Sequence, residues 1–104
     1  MAAPRGYHLY YIILRQNLTP RAKWRDDVLQ AHLEWAKRSA ECGDLIFSGP
    51  AADKSMGIYL LRASTEAGAR EIAERDPVIS NGYCSYQLHD WDIQRGENLL
   101  ETAT

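Results

Sequence analysis

The amino-acid sequence predicts an α+β fold whose strands and helices follow one another in the order βαββαβ. Four short segments rich in β-branched and aromatic residues recur along the chain and are typical of strands. Two amphipathic segments with apolar residues at helical spacing separate the first strand from the second and the third from the fourth. One sheet covered by two helices accommodates this order most simply.

The first strand and the longer helix occupy the N-terminal half. Residues 7–14 form an apolar and aromatic run that predicts the first strand. After a polar break at residues 17–20, apolar residues recur at intervals of three and four over residues 24–40, which predicts a long amphipathic helix. Gly43 supplies the left-handed residue on which helices commonly end.

The next two strands form a hairpin. Residues 45–50 and 57–62 are short apolar runs, and the polar residues 52–55 between them are typical of a turn. This pairing makes the two strands antiparallel neighbours.

The second helix and the last strand follow the hairpin. Ser64 and Thr65 offer hydroxyl caps to a helix over residues 67–75, and Pro77 prevents that helix from continuing. Residues 84–93 predict the fourth strand. The tail over residues 94–104 has too little pattern to place.

Two right-handed βαβ crossovers that share the central hairpin define a ferredoxin-like fold. It consists of a four-stranded antiparallel sheet with both helices on one face. A length of 104 residues suits one domain over residues 1–104, with a core at about 7–93 and a C-terminal tail at 94–104.

Apolar residues on both faces of the first strand predict a homodimer. One face carries Tyr7, Leu9, Tyr11 and Ile13, and the other carries His8, Tyr10, Ile12 and Leu14. The helices cover only one of these faces, so the other requires a second partner. The simplest partner is the same sheet of another copy, packed face to face about a two-fold axis.

Composition narrows the classes of partner. A net charge of −2 without any basic run speaks against nucleic acid and anionic membranes. The apolar run at residues 7–14 is too short to span a bilayer, so we expect a soluble, cytoplasmic protein.

The sequence lacks the motifs that bind common cofactors and metals. Neither a dinucleotide-binding nor a phosphate-binding glycine motif is present, so we expect no cofactor. A metal site would need the residues His8, His89, Asp90 and Asp92. Their spacing matches no known ligand pattern, so we expect no metal.

His32 and Asp76 are the leading catalytic candidates. An imidazole titrates near neutral pH and can accept and return a proton, and a carboxylate on its second nitrogen would orient it. His32 lies in the apolar stripe of the first helix, and Asp76 precedes Pro77. The alternative is structural: His32 satisfies a backbone carbonyl, and Asp76 bonds the turn after Pro77.

Other residues are candidates for binding a small-molecule ligand. Ser48 precedes Gly49 and Pro50 at a strand end, where a hydroxyl and backbone groups can hold a carboxylate or phenolate. Four tyrosines can line an aromatic pocket or donate a hydrogen bond, although aromatic residues in strands usually belong to a core or an interface: Tyr11, Tyr59, Tyr83 and Tyr86. Three arginines, Arg15, Arg62 and Arg75, could bind an anionic substrate through two parallel hydrogen bonds, but single arginines at element ends are expected to be mostly solvated.

Several motifs together resemble the YCII-related (YciI-like) family. They are His32-Leu33-x-Trp35, Gly-x-Leu-x-x-Ser-Gly-Pro at 43–50, Ala-Ser-Thr-Glu-Ala at 63–67, Asp76-Pro77 and Trp91. The resemblance implies a dimeric α+β barrel with a pocket between helices and sheet. It also implies a catalytic His/Asp pair at His32 and Asp76, as proposed for a cofactor-free relative that removes chloride from chlorinated hydroxyhydroquinones. The chain departs from the family at residues 53–57 and 80–83, which bears on the substrate rather than the fold.

Two hypotheses of function follow. In the first, a homodimeric, cofactor-free enzyme uses His32 and Asp76 for isomerisation, elimination or ring opening of a small aromatic or anionic metabolite. In the second, the same fold binds a small molecule or serves a pathway as an accessory protein, and the pair is structural. RNA binding is disfavoured because the aromatic signature of RNA-binding sheets is missing and the chain is net acidic.

Overall fold

A computed structural model describes residues 9–103 of the chain. Its elements are β1 (Tyr10–Asn17), α1 (Asp26–Glu41), β2 (Leu45–Pro50), β3 (Met56–Arg62), α2 (Glu66–Glu74), α3 (Pro77–Ser80), β4 (Cys84–Asp90) and α4 (Glu97–Ala103). A single 3₁₀ turn at Arg21–Lys23 precedes α1. The four strands and the two long helices agree with the sequence pattern, whereas α3 and α4 are additional.

The sheet confirms the ferredoxin-like α+β fold. Its strands lie in the order β2-β3-β1-β4, and every neighbouring pair is antiparallel. The first strand runs to Asn17 rather than Leu14, because Arg15 and Gln16 pair with β3 and β4. Tyr7 and His8, which the sequence pattern places in this strand, lie outside the described residues.

Local signals set the helix ends. The Thr65 hydroxyl accepts a hydrogen bond from the Gly68 backbone N–H at 3.0 Å and caps α2. Gly43 follows α1 with φ of 88°, a conformation that glycine adopts without steric cost. Both features agree with the sequence analysis.

The helices cover one face of the sheet and build the main core there. Its buried members come from three strands and two helices: Tyr11, Ile13, Trp35, Leu45, Tyr59, Leu61, Ala69, Ile72 and Ala73. A second cluster joins Trp24 and α1 to α3 and β4 through Val28, Val78 and Cys84. The alternation of β1 therefore sends Tyr11, Ile13 and Arg15 towards the helices.

The C-terminal segment packs on the opposite face. The last strand ends at Asp90 rather than Ile93, and α4 buries Leu100 against Tyr10 and Leu60. This contact covers one end of the outer face, a role that the sequence pattern of the tail does not indicate. Among residues 9–103, no helix has the length and apolar character needed to cross a membrane.

Candidate active site

A buried chain of hydrogen bonds links β1, β3, α1 and α3. Asp76 stands at its centre, at the N-cap of α3. The following proline keeps Asp76 extended, with ψ of 120°, and the carboxylate accepts from the Val78 backbone N–H at 3.2 Å. The local sequence Asp-Pro thus fixes where the carboxylate lies.

The side chains of His32 and Asp76 meet in this chain. His32 Nδ1 and Asp76 Oδ1 are 2.7 Å apart, with 8% of His32 and none of Asp76 exposed. The Tyr59 hydroxyl donates to the second carboxylate oxygen at 2.5 Å. His32, Tyr59 and Val78 together satisfy a carboxylate that would otherwise be costly to bury.

Tyr59 connects the carboxylate to a buried guanidinium. Arg15 Nη1 donates to the Tyr59 hydroxyl oxygen at 2.7 Å. Burial and the charge of Asp76 raise the pKa of Tyr59 well above its usual value of 10.0, against the opposing effect of Arg15. Tyr59 is therefore a neutral phenol that accepts from Arg15 and donates to Asp76.

Two tryptophans hold the imidazole in place. The His32 ring contacts Trp24 edge-on and is stacked near Trp35, with centroid separations of 6.0 Å in both cases. Trp24 is itself anchored, since its Nε1 donates to the Thr19 carbonyl oxygen at 2.9 Å. This packing limits the ring to one orientation relative to Asp76.

A cavity of about 250 Å³ opens beside the imidazole. It is lined by Arg15, Arg21, His32, Leu33, Ala36, Ser48, Gly49, Pro50, Gly57 and Tyr59. His32 makes no hydrogen bond through Nε2 among residues 9–103. The second ring nitrogen can therefore meet a molecule bound in the cavity.

The strand register explains why the lining residues converge. Ser48 pairs with Tyr59, and Pro50 pairs with Gly57, across β2 and β3. Gly57 in turn pairs with Arg15 across β3 and β1. These positions share the helix-covered face of the sheet, below the segment of α1 that carries His32.

The residues singled out from sequence are only partly brought together. Ser48, Gly49 and Pro50 line the cavity with His32, and Asp76 lies behind the imidazole. Tyr11 belongs to the main core, and Tyr83 is stacked on Trp24 with centroids 6.5 Å apart. Neither tyrosine is among the residues that line the cavity.

Sequence reasoning gives Arg15 and Tyr59 a low rank, yet both line the cavity. The expectation that Arg15 is solvated is wrong, since only 4% of the residue is exposed. Strand alternation indicates the burial of Arg15, because a residue two positions after Ile13 in a strand lies on the same, core-facing side of the sheet. That signal becomes decisive only when the strand is known to continue past Leu14.

The metal hypothesis involved residues at the other end of the sheet. His89 and Asp90 are exposed at the end of β4, and His8 lies outside the described residues. Within the described part of the chain, no group of three or more His, Cys, Asp and Glu is placed to hold a metal ion.

Fold and site together define a ferredoxin-like α+β protein with a buried His/Asp pair beside a small cavity. The chain belongs to the YCII-related domain family, whose model matches residues 9–92. This confirms the resemblance carried by the sequence motifs.

Two proteins of known sequence or structure are similar to this chain. The uncharacterized protein YjpA of Bacillus subtilis is 25% identical over 73 residues, covering 70% of this chain and 86% of YjpA. The 5-chloro-2-hydroxyhydroquinone dehydrochlorinase TftG of Burkholderia phenoliruptrix, solved with 2,5-dihydroxybenzoquinone, superimposes with a TM-score of 0.67. That comparison covers 86% of this chain and 98% of TftG at 18% identity, so it shows a shared fold.

The raised pKa of Tyr59 predicts a loss of stability in alkali. Above about pH 10 the unfolded chain releases the phenolic proton whereas the folded chain retains it, so the free energy of unfolding falls as pH rises. Below about pH 10 the protonated Tyr59 makes its full contribution to the free energy of unfolding. We expect the wild type to lose about 1.4 kcal/mol per pH unit more than Tyr59→Phe, measured by urea denaturation above about pH 10.

Tyr83→Phe is the matched control for this measurement, because Tyr83 stacks on Trp24 and makes no hydrogen bond to a carboxylate among the described residues. Burial also raises the pKa of Cys84, to about 11, and this affects all three proteins alike. Equal pH slopes for wild type and Tyr59→Phe would contradict the prediction.

Proposed function

We propose that this protein is a homodimeric, cofactor-free acid/base enzyme acting on a small aromatic or anionic metabolite. His32 serves as general base and then general acid, and Asp76 orients it. One observation carries the proposal: His32 Nδ1 lies 2.7 Å from Asp76 Oδ1, while the same imidazole lines a cavity of about 250 Å³. A base needs both an orienting partner and access to substrate.

The geometry favours one protonation pattern. An ionised Asp76 accepts a hydrogen bond from the Nδ1–H group, which leaves the Nε2 lone pair free to remove a proton from a bound phenol or from carbon next to a carbonyl. The resulting imidazolium is stabilised by the carboxylate at its other nitrogen. His32 then returns the proton to another atom of the substrate or to a leaving group, which completes an isomerisation or elimination.

The likeness to TftG supplies a first candidate reaction. By its name that protein removes hydrogen chloride from 5-chloro-2-hydroxyhydroquinone. In this chain His32 would take a substrate proton as chloride leaves with its bonding electron pair, so the step needs no oxidant. The Ser48 hydroxyl and the backbone at residues 48–50 would hold the ring oxygens at the cavity wall.

A chloride-release assay tests the proposal. We expect purified protein to release chloride from 5-chloro-2-hydroxyhydroquinone, or to isomerise a related hydroxylated aromatic acid, under anaerobic conditions without added metal or cofactor. His32→Gln should lower this activity by about 10²-fold or more and keep the far-UV circular dichroism of the wild type. Turnover that persists in His32→Gln would show that another group is the base.

The homodimer is proposed from the outer face of the sheet. Ile58 and Phe47 are 38% and 56% exposed there, beside the half-buried Ile12 and Leu14. The helix α4 covers only the end of this face at Tyr10 and Leu60. A second sheet packed on the remaining apolar strip would remove it from water.

Ile58→Glu is expected to convert the dimer to a monomer, because a carboxylate would have to be buried in the apolar strip. Light scattering should give twice the chain mass for wild type and one chain mass for the variant. Gln30→Glu adds the same charge at an exposed position of α1 and should remain dimeric. A wild-type mass equal to one chain at micromolar concentration would overturn the proposed dimer.

A non-catalytic protein that binds a small molecule, or acts as an accessory protein, is the second candidate. The structural role of Asp76 favours this second function. Asp76 caps α3 and joins that helix to α1 and β3 through buried hydrogen bonds. A destabilised His32→Gln variant, with no turnover by the wild type, would favour this function.

A further inference from the structure

We propose that the cavity recognises its ligand through a negatively charged group bound by Arg15. The ligand is then a small carboxylate or phenolate, with the anion at the sheet side of the cavity and the reacting atoms below His32. This inference rests on the proposed function for the identity of the site and adds its substrate class and specificity residue.

Arg15 has unused hydrogen-bonding capacity at a buried position. Only 4% of Arg15 is exposed. Among the described residues its side chain makes one hydrogen bond, which Nη1 donates to the Tyr59 hydroxyl oxygen. Nε is fully buried and has no partner. Nη2 also makes no hydrogen bond among the described residues but is not fully buried, so it is the donor that an anionic acceptor in the cavity would reach.

The charge of the cavity wall points to the same ligand class. Arg15 and Arg21 contribute two cations, and none of the described residues that line the cavity is acidic. Asp76 lies behind the wall, and its carboxylate already accepts from His32, Tyr59 and Val78. An anion entering the cavity therefore meets positive charge that no lining carboxylate neutralises.

Gly57 shapes the floor on which the guanidinium lies. A Cβ atom added to Gly57 would stand 2.8 Å from Arg15 Cζ, 2.9 Å from Nη2 and 3.0 Å from Nε. The guanidinium also packs near the Trp24 and Tyr59 rings, with Cζ at 5.2 and 5.6 Å from their centroids. These contacts hold the guanidinium in one place, so a ligand anion would meet a donor that is already positioned.

The remaining lining limits the size and polarity of the ligand. Leu33, Ala36 and Pro50 supply apolar surface, and the volume of about 250 Å³ accepts a single ring. A one-ring aromatic acid satisfies both the apolar wall and the guanidinium. Benzoate is the simplest probe of that class, and benzamide is its neutral counterpart of similar shape.

Calorimetric titration of the dimer with the two probes tests the inference. We expect benzoate to bind wild type about tenfold or more tightly than benzamide, because only benzoate brings a charge to Arg15. Arg15→Met should weaken benzoate by about tenfold or more, and Arg15→Lys should restore part of the loss, since lysine keeps the charge without the planar fork.

Arg62→Met is the matched control. Arg62 also has a buried Nε without a partner among residues 9–103, but it lines a different hollow beside Cys42 and Leu45. Its replacement should leave benzoate affinity unchanged. Equal binding of benzoate and benzamide by wild type, or undiminished benzoate binding by folded Arg15→Met, would overturn the inference.

If Arg15→Met fails to fold, the comparison of the two probes on wild type still decides the question, and absence of benzoate binding counts against the inference.

The outcome for anion binding can be distinguished from the outcome for catalysis. His32→Gln retains Arg15, so benzoate binding by this variant supports anion recognition even if no turnover is found. If the protein turns over a neutral substrate but does not bind benzoate, anion recognition is refuted and the acid/base function is still supported.

Discussion

His32→Gln is expected to lower kcat by about 10²–10⁴-fold, the usual contribution of a positioned general base or acid. Glutamine approximates the length of the imidazole and can still bond Asp76, but its amide cannot accept a proton at neutral pH. The loss should therefore appear in kcat rather than KM. Steady-state rates on the first substrate identified by chloride release or isomerisation give this measurement.

His89→Gln is the matched control for that variant, because His89 is exposed on β4 and does not line the cavity. Asp76→Asn adds a second comparison: its amide can donate to Nδ1 and thereby favour the tautomer with the proton on Nε2, which removes the base. Rates in His32→Gln and His89→Gln that match the wild type would assign the chemistry to another residue.

Asp76→Ala is expected to lower the free energy of unfolding by about 3–5 kcal/mol, the range seen when one partner of a buried charged network is removed. Arg15 loses the only carboxylate in its hydrogen-bonded chain, and Tyr59 and His32 lose a buried acceptor. The Val78 N–H also loses its cap. Urea denaturation at neutral pH measures the effect.

Asp53→Ala is the control for this loss of stability. Asp53 is exposed and bonds only Ser55 among the described residues, so we expect a change within about 0.5 kcal/mol. Asp76→Asn should fall between the two, since an amide oxygen can still accept while the charge is lost. An Asp76→Ala cost no larger than that of Asp53→Ala would show that the buried network contributes little to stability.

The elements that the sequence predicts correctly are those whose signals are local. Helical spacing over residues 24–40 places His32 on the buried stripe of α1, and Thr65 caps α2 as its residue type indicates. The pairing of His32 with Asp76 was suggested by family resemblance and by two helices on one face. The structure adds the hydrogen bond between the two side chains and the cavity beside the imidazole.

The misjudged elements depend on distant contacts. The tail lacks a strong periodic pattern, yet α4 forms where Leu100 meets Tyr10 and Leu60 across the outer face. Tyr11 is an aromatic strand residue like Tyr59, but packing places Tyr11 in the core and Tyr59 between Arg15 and Asp76. Residue type alone does not distinguish these two environments.

The order of strands and long helices, the helix caps and the identity of a candidate base can all be predicted from the amino-acid sequence. Those features follow from periodicity and from hydrogen bonds between residues close in the chain. The place of Arg15 in the site depends on the folded chain, because its burial requires register with Gly57, 42 positions away across β1 and β3. A cavity is likewise a property of the assembled sheet and helix, since its walls come from segments that meet only after folding.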